Sequence, residues 1–159
     1  MNGLVHGLGL QPHPEGGWFR ETWRADVTVD TVRGPRAAGT SILYLLDEGA
    51  VSVLHRLAWD EVWHLHAGGP LRIHLLAAGG VSTVVLAADP AAPRFQTVIP
   101  AGTWFGAEAA PGWALAGCTM APGFAWEDYE LGRRADLLEA HPGAADLIRR
   151  LTVTGKDTP

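Results

Sequence analysis

The chain has 159 residues, of which 47% are hydrophobic and 18% are charged, with a formal net charge of −5. These proportions indicate one folded domain over residues 1–159 and exclude an intrinsically disordered chain. The basic residues, eleven arginines and one lysine, are spread along the sequence without a cluster. We therefore expect the protein to bind neither nucleic acid nor an anionic membrane surface.

The expected cellular location follows from segments that the sequence does not contain. Cys118 is the single cysteine, which excludes an internal disulfide framework and is compatible with a reducing compartment. The first residues do not combine a basic start with an apolar run, as a signal peptide would. No apolar run approaches the ~20 residues of a membrane-spanning helix. We therefore expect a cytoplasmic protein.

Most of the chain is divided into short segments with strand-like patterns, separated by turns rich in Gly and Pro. Residues 1–17 are expected to form an irregular arm or a short helix, and residues 30–39 a loop. Strands are predicted within residues 18–26, 40–50 (a strand and a turn), 51–59, 60–69, 70–80, 81–89 and 94–100, with two more within 101–124. We expect residues 60–69 and 70–80 to pair with each other as antiparallel strands. Strands of this length and spacing are typical of a sandwich or a small barrel.

The sequence becomes richer in charge after Phe124. Leucine and isoleucine side chains recur there at helical spacing on both sides of His141-Pro142. We predict two short helices within residues 127–151, interrupted at the Pro-Gly pair. They are expected to pack on the outside of a barrel formed by residues 16–124.

The stretch LHRLAWDEVWHLHAG, residues 54–68, holds three histidines and an acidic pair. Its spacing resembles the first motif of the cupin superfamily, with Gly49, His55, Glu61 and Gly68 at four of the motif positions. PAGTW, which begins at Pro100, resembles the second cupin motif, Pro-x-Gly-x-x-His, and we place Trp104 at its histidine position.

The whole sequence is similar to one group of cupins, the cupin-5 or DUF985-like family of small RmlC-like proteins. The segments GLQPHPEGGWFRETWR, TSILYLL, HRLAWDEVWHLHAGGPL, VIPAGTWFGA and GCTMAPGFAWEDYEL resemble that family's signature blocks and run in the same order. The resemblance implies an all-β fold, a double-stranded β-helix (jelly-roll or cupin barrel) with short C-terminal helices. Small cupins also commonly form dimers, so we expect a homodimer, with the outward face that bears Val62, His64 and His66 as a candidate interface.

A metal-binding cupin uses about three histidines and one glutamate, and this sequence retains only His55 and Glu61 of that set. Leu57 and Trp104, which we place at the other two ligand positions, cannot ligate a cation. Side chains alternate between the faces of a strand, so a regular strand from Glu61 turns Trp63 inward and His64 and His66 outward. We therefore expect no cofactor. A divalent metal, held in an unexpected register by a metal-dependent oxygenase, stays open as an alternative.

His55 and Glu61 are the candidate catalytic residues. An imidazole with an ordinary pKa of ~6.5 accepts and donates protons at neutral pH, and a neighbouring carboxylate can orient it and raise its basicity. We predict a metal-independent isomerase or epimerase, or a related lyase, that acts on a small polar metabolite, sugar-like or carbonyl-containing. The alternative is a cupin that binds or senses a small ligand without turnover.

Six further residues are predicted to contact the ligand. Trp63 and Trp104 would form flat walls, Tyr44 would add a phenol and Gln96 a polar contact. In the segment PHPEGGWFRE, Glu15 or Arg20 would lie over the barrel mouth, and the planar guanidinium of Arg20 would suit a carboxylate or phosphate.

Overall fold

The computed structural model describes residues 2–77, 80–109 and 111–153. Its helices are α1 (Asn2–Gly7), α2 (Arg134–Ala140) and α3 (Ala145–Arg150). Its strands are β1 (Gln11–Pro12), β2 (Trp18–Arg24), β3 (Thr28–Thr31), β4 (Gly34–Ala37), β5 (Thr40–Leu46), β6 (Val51–Leu57), β7 (Glu61–Gly68), β8 (Leu71–Ala77), β9 (Gly80–Leu86), β10 (Gln96–Ile99), β11 (Trp104–Ala109), β12 (Ala114–Met120) and β13 (Tyr129–Leu131). In the described part of the chain, no helix is long and apolar enough to span a membrane.

Two antiparallel sheets enclose the core. The first has the strand order β1-β2-β5-β12-β7-β10 and the second the order β13-β6-β11-β8-β9. Trp63 and Tyr44 of the first sheet share one apolar cluster with Ile73 and Phe105 of the second. This is the predicted all-β double-stranded β-helix, and that expectation is confirmed.

The alternation of side chains along β7 determines which of its residues face the core between the two sheets. Glu61, Trp63 and Leu65 are buried, whereas Val62 and His64 are half-buried on the other face. The register between β7 and β12 shifts only beyond His64, where Leu115 pairs with Ala67 and Ala116 with Leu65. The irregularity therefore brings neither His64 nor His66 to the inner face, as strand parity predicted.

The expected pairing of residues 60–69 with 70–80 is wrong. β7 pairs with β10 and β12, whereas β8 pairs with β9 and β11 in the other sheet. The chain crosses between the sheets at Gly68 and Gly69, whose φ values of 70° and 95° are readily adopted by glycine. A hairpin and a crossover have the same local pattern, so the sequence between the strands did not distinguish them.

Residues 30–39, predicted as a loop, contribute to the hairpin of β3 and β4. Thr31 pairs with Gly34 across a two-residue turn, and Asp30 pairs with Pro35. Proline is normally excluded from central strands because it cannot donate to the ladder, but both strands of this separate two-stranded sheet are edges. The sequence analysis predicted a loop here because the segment is rich in Gly and Pro, which are typical of loops.

The C-terminal helices pack on the second sheet as predicted. Leu137 of α2 and Ile148 of α3 form a second buried cluster with Leu54 and Leu76. A single turn of 3₁₀ helix at Pro142–Ala144 separates α2 from α3. Strand β13 pairs with β6, so the sheet extends past the predicted barrel limit at residue 124.

Candidate functional site

A cavity of about 170 Å³ lies between the sheets. Its ionisable wall consists of Glu15, Glu21, Glu61, His13, His55 and Arg24. Its aromatic wall consists of Phe19, Tyr44, Trp63, Phe124 and Trp126. The volume is below the roughly 300–1,000 Å³ of pockets for drug-sized ligands, so it suits a small metabolite.

His55 projects from β6 and is only 3% exposed. Its Nδ1 lies 2.7 Å from the carbonyl oxygen of Val53. A carbonyl oxygen can only accept a hydrogen bond, so Nδ1 carries the proton and Nε2 of the neutral ring is an acceptor. Among the described residues, Nε2 has no hydrogen-bond partner. Because His55 lines the cavity, the ring presents this lone pair to a ligand.

Burial lowers the pKa of His55, and the charge of Glu61 opposes that shift. The imidazole ring is held between Phe105, with ring centroids 4.1 Å apart, and Tyr129, with centroids 5.6 Å apart. The neutral imidazole is therefore the resting form at neutral pH, and two rings fix its orientation.

Glu15 lies in the turn between β1 and β2 and is 7% exposed. Its Oε2 accepts a hydrogen bond of 3.1 Å from Ser52 Oγ and lies 3.4 Å from Nδ1 of His55. Burial raises the pKa of Glu15 to about 7. The carboxyl group is therefore placed to offset a positive charge on the imidazole, and it changes its own protonation near neutral pH.

The turn that carries Glu15 is attached to the barrel by its backbone. Gly16 has a φ of 103°, and a Cβ there would lie 2.3 Å from the carbonyl oxygen of Val51. The Tyr44 hydroxyl donates a 2.7 Å hydrogen bond to the Gly16 carbonyl, and the Val53 amide donates one of 3.1 Å to the Glu15 carbonyl. The PEGG sequence thus brings the chain close enough to insert Glu15 beside His55.

Glu61 begins β7 and is 8% exposed. Its Oε2 accepts a 2.6 Å hydrogen bond from Nε1 of Trp63, and burial raises its pKa to about 7. Its Oε1 has no hydrogen-bond partner within the described part of the chain. An unsatisfied carboxylate oxygen in a cavity is an acceptor available to a ligand.

The half-exposed end of the cavity is formed by β2 and the segment before β13. Arg24 donates to both carboxylate oxygens of Glu21, at 3.0 and 2.7 Å, and to the Phe124 carbonyl at 3.2 Å. Trp126 is 52% exposed, with its ring centroid 5.0 Å from that of Phe124 and 5.4 Å from that of Tyr129. These rings make the mouth aromatic.

The cavity brings together five of the residues singled out in the sequence. His55, Glu61, Trp63, Tyr44 and Glu15 all line it. Their catalytic and ligand-binding roles stay predictions.

Trp104 was predicted to face His55, and this placement is wrong. Phe105 is directly opposite His55 across β11 and β6, so the alternation turns Trp104 to the other face. There it packs near the C-terminal helices, with the guanidinium of Arg56 4.6 Å from its ring centroid. Counted from Pro100, the histidine position of the second cupin motif falls at Phe105, so the error was a shift of one residue.

Gln96 and Arg20 also lie outside the cavity, contrary to prediction. Gln96 is exposed on the edge strand β10 opposite His64, which faces outward. Arg20 is exposed opposite Leu43, whereas its neighbour Phe19 lies opposite Tyr44 and lines the cavity. The inner face is carried by the odd-numbered residues in β10 and in β2 up to Glu21, beyond which a register shift brings Arg24 to the cavity.

Sequence reasoning missed His13, Ser52, Phe105 and Arg24 as parts of the site or its surroundings. His13 stands two residues before Glu15, and its Nδ1 accepts a hydrogen bond from the Glu15 amide at 3.1 Å. The available signal was the spacing of His13 and Glu15, two residues apart in PHPE. Nothing in the local pattern around Ser52 or Arg24 indicated that either would reach the site.

The donor groups do not fit the metal centre that the cupin resemblance implies. Over residues 2–77, 80–109 and 111–153, no group of three or more His, Cys, Asp or Glu side chains is arranged to hold a metal ion. Leu57 and Phe105 occupy two motif positions and cannot ligate a cation, so Nε2 of His55 and Oε1 of Glu61 are the two free donors of the motif. Transition-metal sites in enzymes usually present three protein ligands.

Comparison with known proteins places this site in a family. The family described as Cupin superfamily (DUF985), Cupin_5, matches residues 2–132. A hypothetical protein from Leishmania major is 30% identical, with 96% of this chain and 98% of that chain covered and a TM-score of 0.89. A protein from Shewanella oneidensis, solved by X-ray crystallography, is 34% identical, with 97% and 98% covered and a TM-score of 0.89.

More distant structures share the fold alone. KdgF from Halomonas sp. is 18% identical, with 74% of this chain and 88% of that chain covered and a TM-score of 0.51. A Bacillus subtilis oxalate decarboxylase is 16% identical, with 91% and 38% covered and a TM-score of 0.57. The comparison with curated proteins found no significant match. The matched residues extend from α1 to the end of β13 and include the whole cavity wall, so the chain belongs to the cupin-5 (DUF985) family of the cupin superfamily.

Proposed function

We propose that the protein is a metal-independent proton-transfer enzyme, of the isomerase or epimerase type, that acts on a small polar metabolite. The observation that carries this proposal is the tautomer of His55. Its Nδ1 proton is committed to the Val53 carbonyl, so the free lone pair of Nε2 is left for a ligand in the cavity. A positioned neutral imidazole is the commonest general base of enzymes.

The proposed reaction is proton abstraction next to a carbonyl group. Nε2 takes the proton, and the C–H electron pair moves toward the carbonyl oxygen to form an enolate. The same imidazolium returns the proton to that carbon, or to the former carbonyl carbon once an adjacent hydroxyl group of the substrate has passed its proton to the enolate oxygen. The imidazolium formed midway is stabilised by Glu15, whose Oε2 is 3.4 Å from Nδ1, and by the charge of Glu61. Apolar and aromatic side chains limit the access of water to this step.

Exchange of carbon-bound hydrogen for deuterium tests this function without knowledge of the natural substrate. We expect the protein to accelerate exchange in D₂O, followed by NMR, for at least one of dihydroxyacetone, hydroxyacetone and aminoacetone. His55→Gln is expected to reduce the exchange rate at least ~100-fold, the lower end of what a general base contributes. His66→Gln, which changes an exposed histidine on the outer face, is the matched control and should retain the full rate.

The pH dependence gives a second readout of the same site. The pKa of His55 is lowered and those of Glu15 and Glu61 are raised to about 7, so a neutral base and two ionised carboxylates coexist only above neutrality. The exchange rate should rise between pH 6 and pH 8. Exchange that is absent for the whole panel, or equal in wild type and His55→Gln, would contradict a catalytic His55 and favour a cupin that binds its ligand without turnover.

A further inference from the structure

The cavity contains more acidic than basic groups. Three elements contribute carboxyl groups to its wall, namely Glu15 from the turn, Glu21 from β2 and Glu61 from β7. Arg24 is the one arginine or lysine among the described lining residues. The formal charge of the wall is therefore −2 when the three carboxyl groups are ionised and both imidazoles are neutral.

Arg24 does not change this balance at the inner end. Its Nε and Nη2 are both bonded to Glu21, and Nη1 is bonded to the Phe124 carbonyl, so its planar fork is already engaged at the mouth. An anionic ligand would have to displace Glu21 and then lie close to two further carboxyl groups. Negative charges that share a small, partly buried cavity repel each other more strongly than they would in water.

The polar groups of the inner cavity are acceptors. Oε1 of Glu61 is without a hydrogen-bond partner in the described part of the chain, although the residue is more than nine-tenths buried. Nε2 of His55 is likewise an unpartnered acceptor on a residue that is 3% exposed. A protonated amine would give Oε1 of Glu61 both an N–H donor and a positive charge, whereas a quaternary ammonium group gives the charge alone and leaves hydrogen bonding to a hydroxyl group of the ligand.

The walls around these acceptors are aromatic. Trp63 and Tyr44 meet with ring centroids 5.7 Å apart, and Phe124 and Trp126 meet edge to face at the mouth. The faces of such rings attract cations, and this attraction is strongest where water is excluded. Carboxyl groups and aromatic side chains that line one small cavity are the two features that favour organic cations.

We propose that the cavity binds a small organic cation, so that the substrate carries a protonated amine or a quaternary ammonium group. The word substrate rests on the proposed function, whereas the binding of a cation does not require turnover. A cationic substrate also suits the proposed chemistry. The enolate formed from a neutral carbonyl compound would add negative charge beside two carboxyl groups, whereas an ammonium group within the substrate would balance that charge internally.

Binding of a cation should be coupled to release of protons. The groups packed around Glu61 and Glu15 are His13 and His55, Tyr44, Tyr129 and Cys118. Burial raises the pKa of Tyr44 and of Cys118, which keeps both neutral below pH 8. The two carboxyl groups, each with a pKa raised to about 7, are therefore the groups that lose a proton when the cation enters.

Three ligands of nearly equal shape test the inference. They are choline, its neutral analogue 3,3-dimethylbutan-1-ol, and the anion 3,3-dimethylbutanoate, each titrated calorimetrically into the wild-type protein at pH 6 and pH 8. We expect choline to bind at least tenfold more tightly than the alcohol at pH 8, and 3,3-dimethylbutanoate to bind more weakly than either. Choline should bind more tightly at pH 8 than at pH 6, with a heat at pH 7 that depends on the ionisation enthalpy of the buffer.

Variants then locate the binding site. Glu61→Gln retains an oxygen acceptor for Trp63, removes the charge and replaces the free oxygen by an amide donor, so it should weaken choline at least tenfold and affect the alcohol much less. Glu130→Gln, an exposed carboxylate outside the cavity, is the matched control. The inference is overturned if choline binds no tighter than the alcohol, or if Glu61→Gln binds choline as the wild type does. If the protein exchanges deuterium into a neutral ketone but does not prefer choline to the alcohol, the cation inference is overturned and the proposed function stands. If the protein binds choline but catalyses no exchange, the cation inference stands and the proposed function is contradicted.

Discussion

The buried carboxyl group of Glu61 lowers the stability of the folded protein at neutral and alkaline pH. The unfolded chain ionises a glutamate near its ordinary pKa of 4.5, whereas the folded protein does so at about 7. Between these values the folded state holds more protons than the unfolded state, so the free energy of unfolding falls as the pH rises. One group shifted this far costs on the order of 3 kcal/mol once both states are ionised.

Replacing Glu61 by Gln should remove this cost. Glu61→Gln is expected to raise the free energy of unfolding relative to wild type at pH 8, by up to about 3 kcal/mol, and to have little effect at pH 4. Urea denaturation at both pH values measures the difference. Glu130→Gln, whose carboxylate is exposed beside Arg56, should show no such pH dependence. A Glu61→Gln variant that is less stable than wild type at pH 8 would contradict an unfavourable buried charge.

The candidate site could be predicted residue by residue only as far as strand parity holds. The cupin resemblance put Glu61 on the inner face, alternation along a regular strand then put Trp63 there, and both side chains are buried in the structure. The predicted position of Trp104 was wrong because an offset of one residue moves a side chain to the opposite face of the sheet. The approach of Glu15 to His55 depends on the path of an irregular turn, which hydrophobic periodicity does not encode.

Among the elements, the hairpin of β3 and β4 depends most on a single residue. Asp128, just before β13, accepts hydrogen bonds from Arg36 of β4, from Arg33 in the turn of the hairpin and from Nε1 of Trp59. The hydrogen bond from Arg36 is the largest of several that hold the pKa of Asp128 well below its usual range. Asp128 also lies two residues after Trp126, so it links the hairpin to the mouth of the cavity.

We predict that Asp128→Asn releases the hairpin. The substitution leaves two guanidinium groups without their counter-charge, and because Arg33 is half-exposed we expect a loss of about 2–4 kcal/mol in the free energy of unfolding. Limited trypsin digestion should then cut faster at Arg33 or Arg36. The wild-type contribution of Asp128 is present above its ordinary pKa and is lost as the pH falls through its lowered folded value.

The matched control for this element is Asp136→Asn. Asp136 forms an ion pair with Arg133 within one turn, and both side chains are largely exposed, so its loss should change stability by less than about 1 kcal/mol. Equal stability and equal trypsin sensitivity of Asp128→Asn and wild type would show that the hairpin is held by other contacts.

The positions of the strands along the chain were easier to predict than the pairing of the strands in the sheets. Most segments with alternating residues became strands within a few residues of the predicted limits, because alternation is local. Pairing is not local: β6 lies between β11 and β13, and neither neighbour is adjacent to it in sequence. The hairpin of β3 and β4 was missed for a different reason, since its Gly and Pro residues are typical of loops.

For the whole molecule, we propose a homodimer that forms through the outer face of the first sheet. The helices α2 and α3 cover part of the outer face of the second sheet, whereas Val62 and His64 on β7 are only half-buried. Val62 pairs there with the half-exposed Val98 of β10, and apolar area of this kind is commonly covered by a partner chain. Light scattering after size-exclusion chromatography should give about twice the 16.9 kDa of one chain.

Val62→Glu places a charge on this face and should shift the dimer to a monomer that still binds choline. Val32→Glu, at a fully exposed position in the β3–β4 turn, is the control and should remain dimeric. A mass of one chain for the wild-type protein at micromolar concentration would contradict the proposed dimer.

The pairing of β13 with β6 has a consequence for the biosynthesis of the protein. Leu131 pairs with His55, and Tyr129 stacks on the imidazole, so the residue proposed as the base obtains its last two neighbours from a much later part of the chain. A nascent polypeptide on the ribosome cannot complete the site until these residues have left the exit tunnel. Fragments that stop before residue 129 should therefore be inert even when their earlier strands have already collapsed.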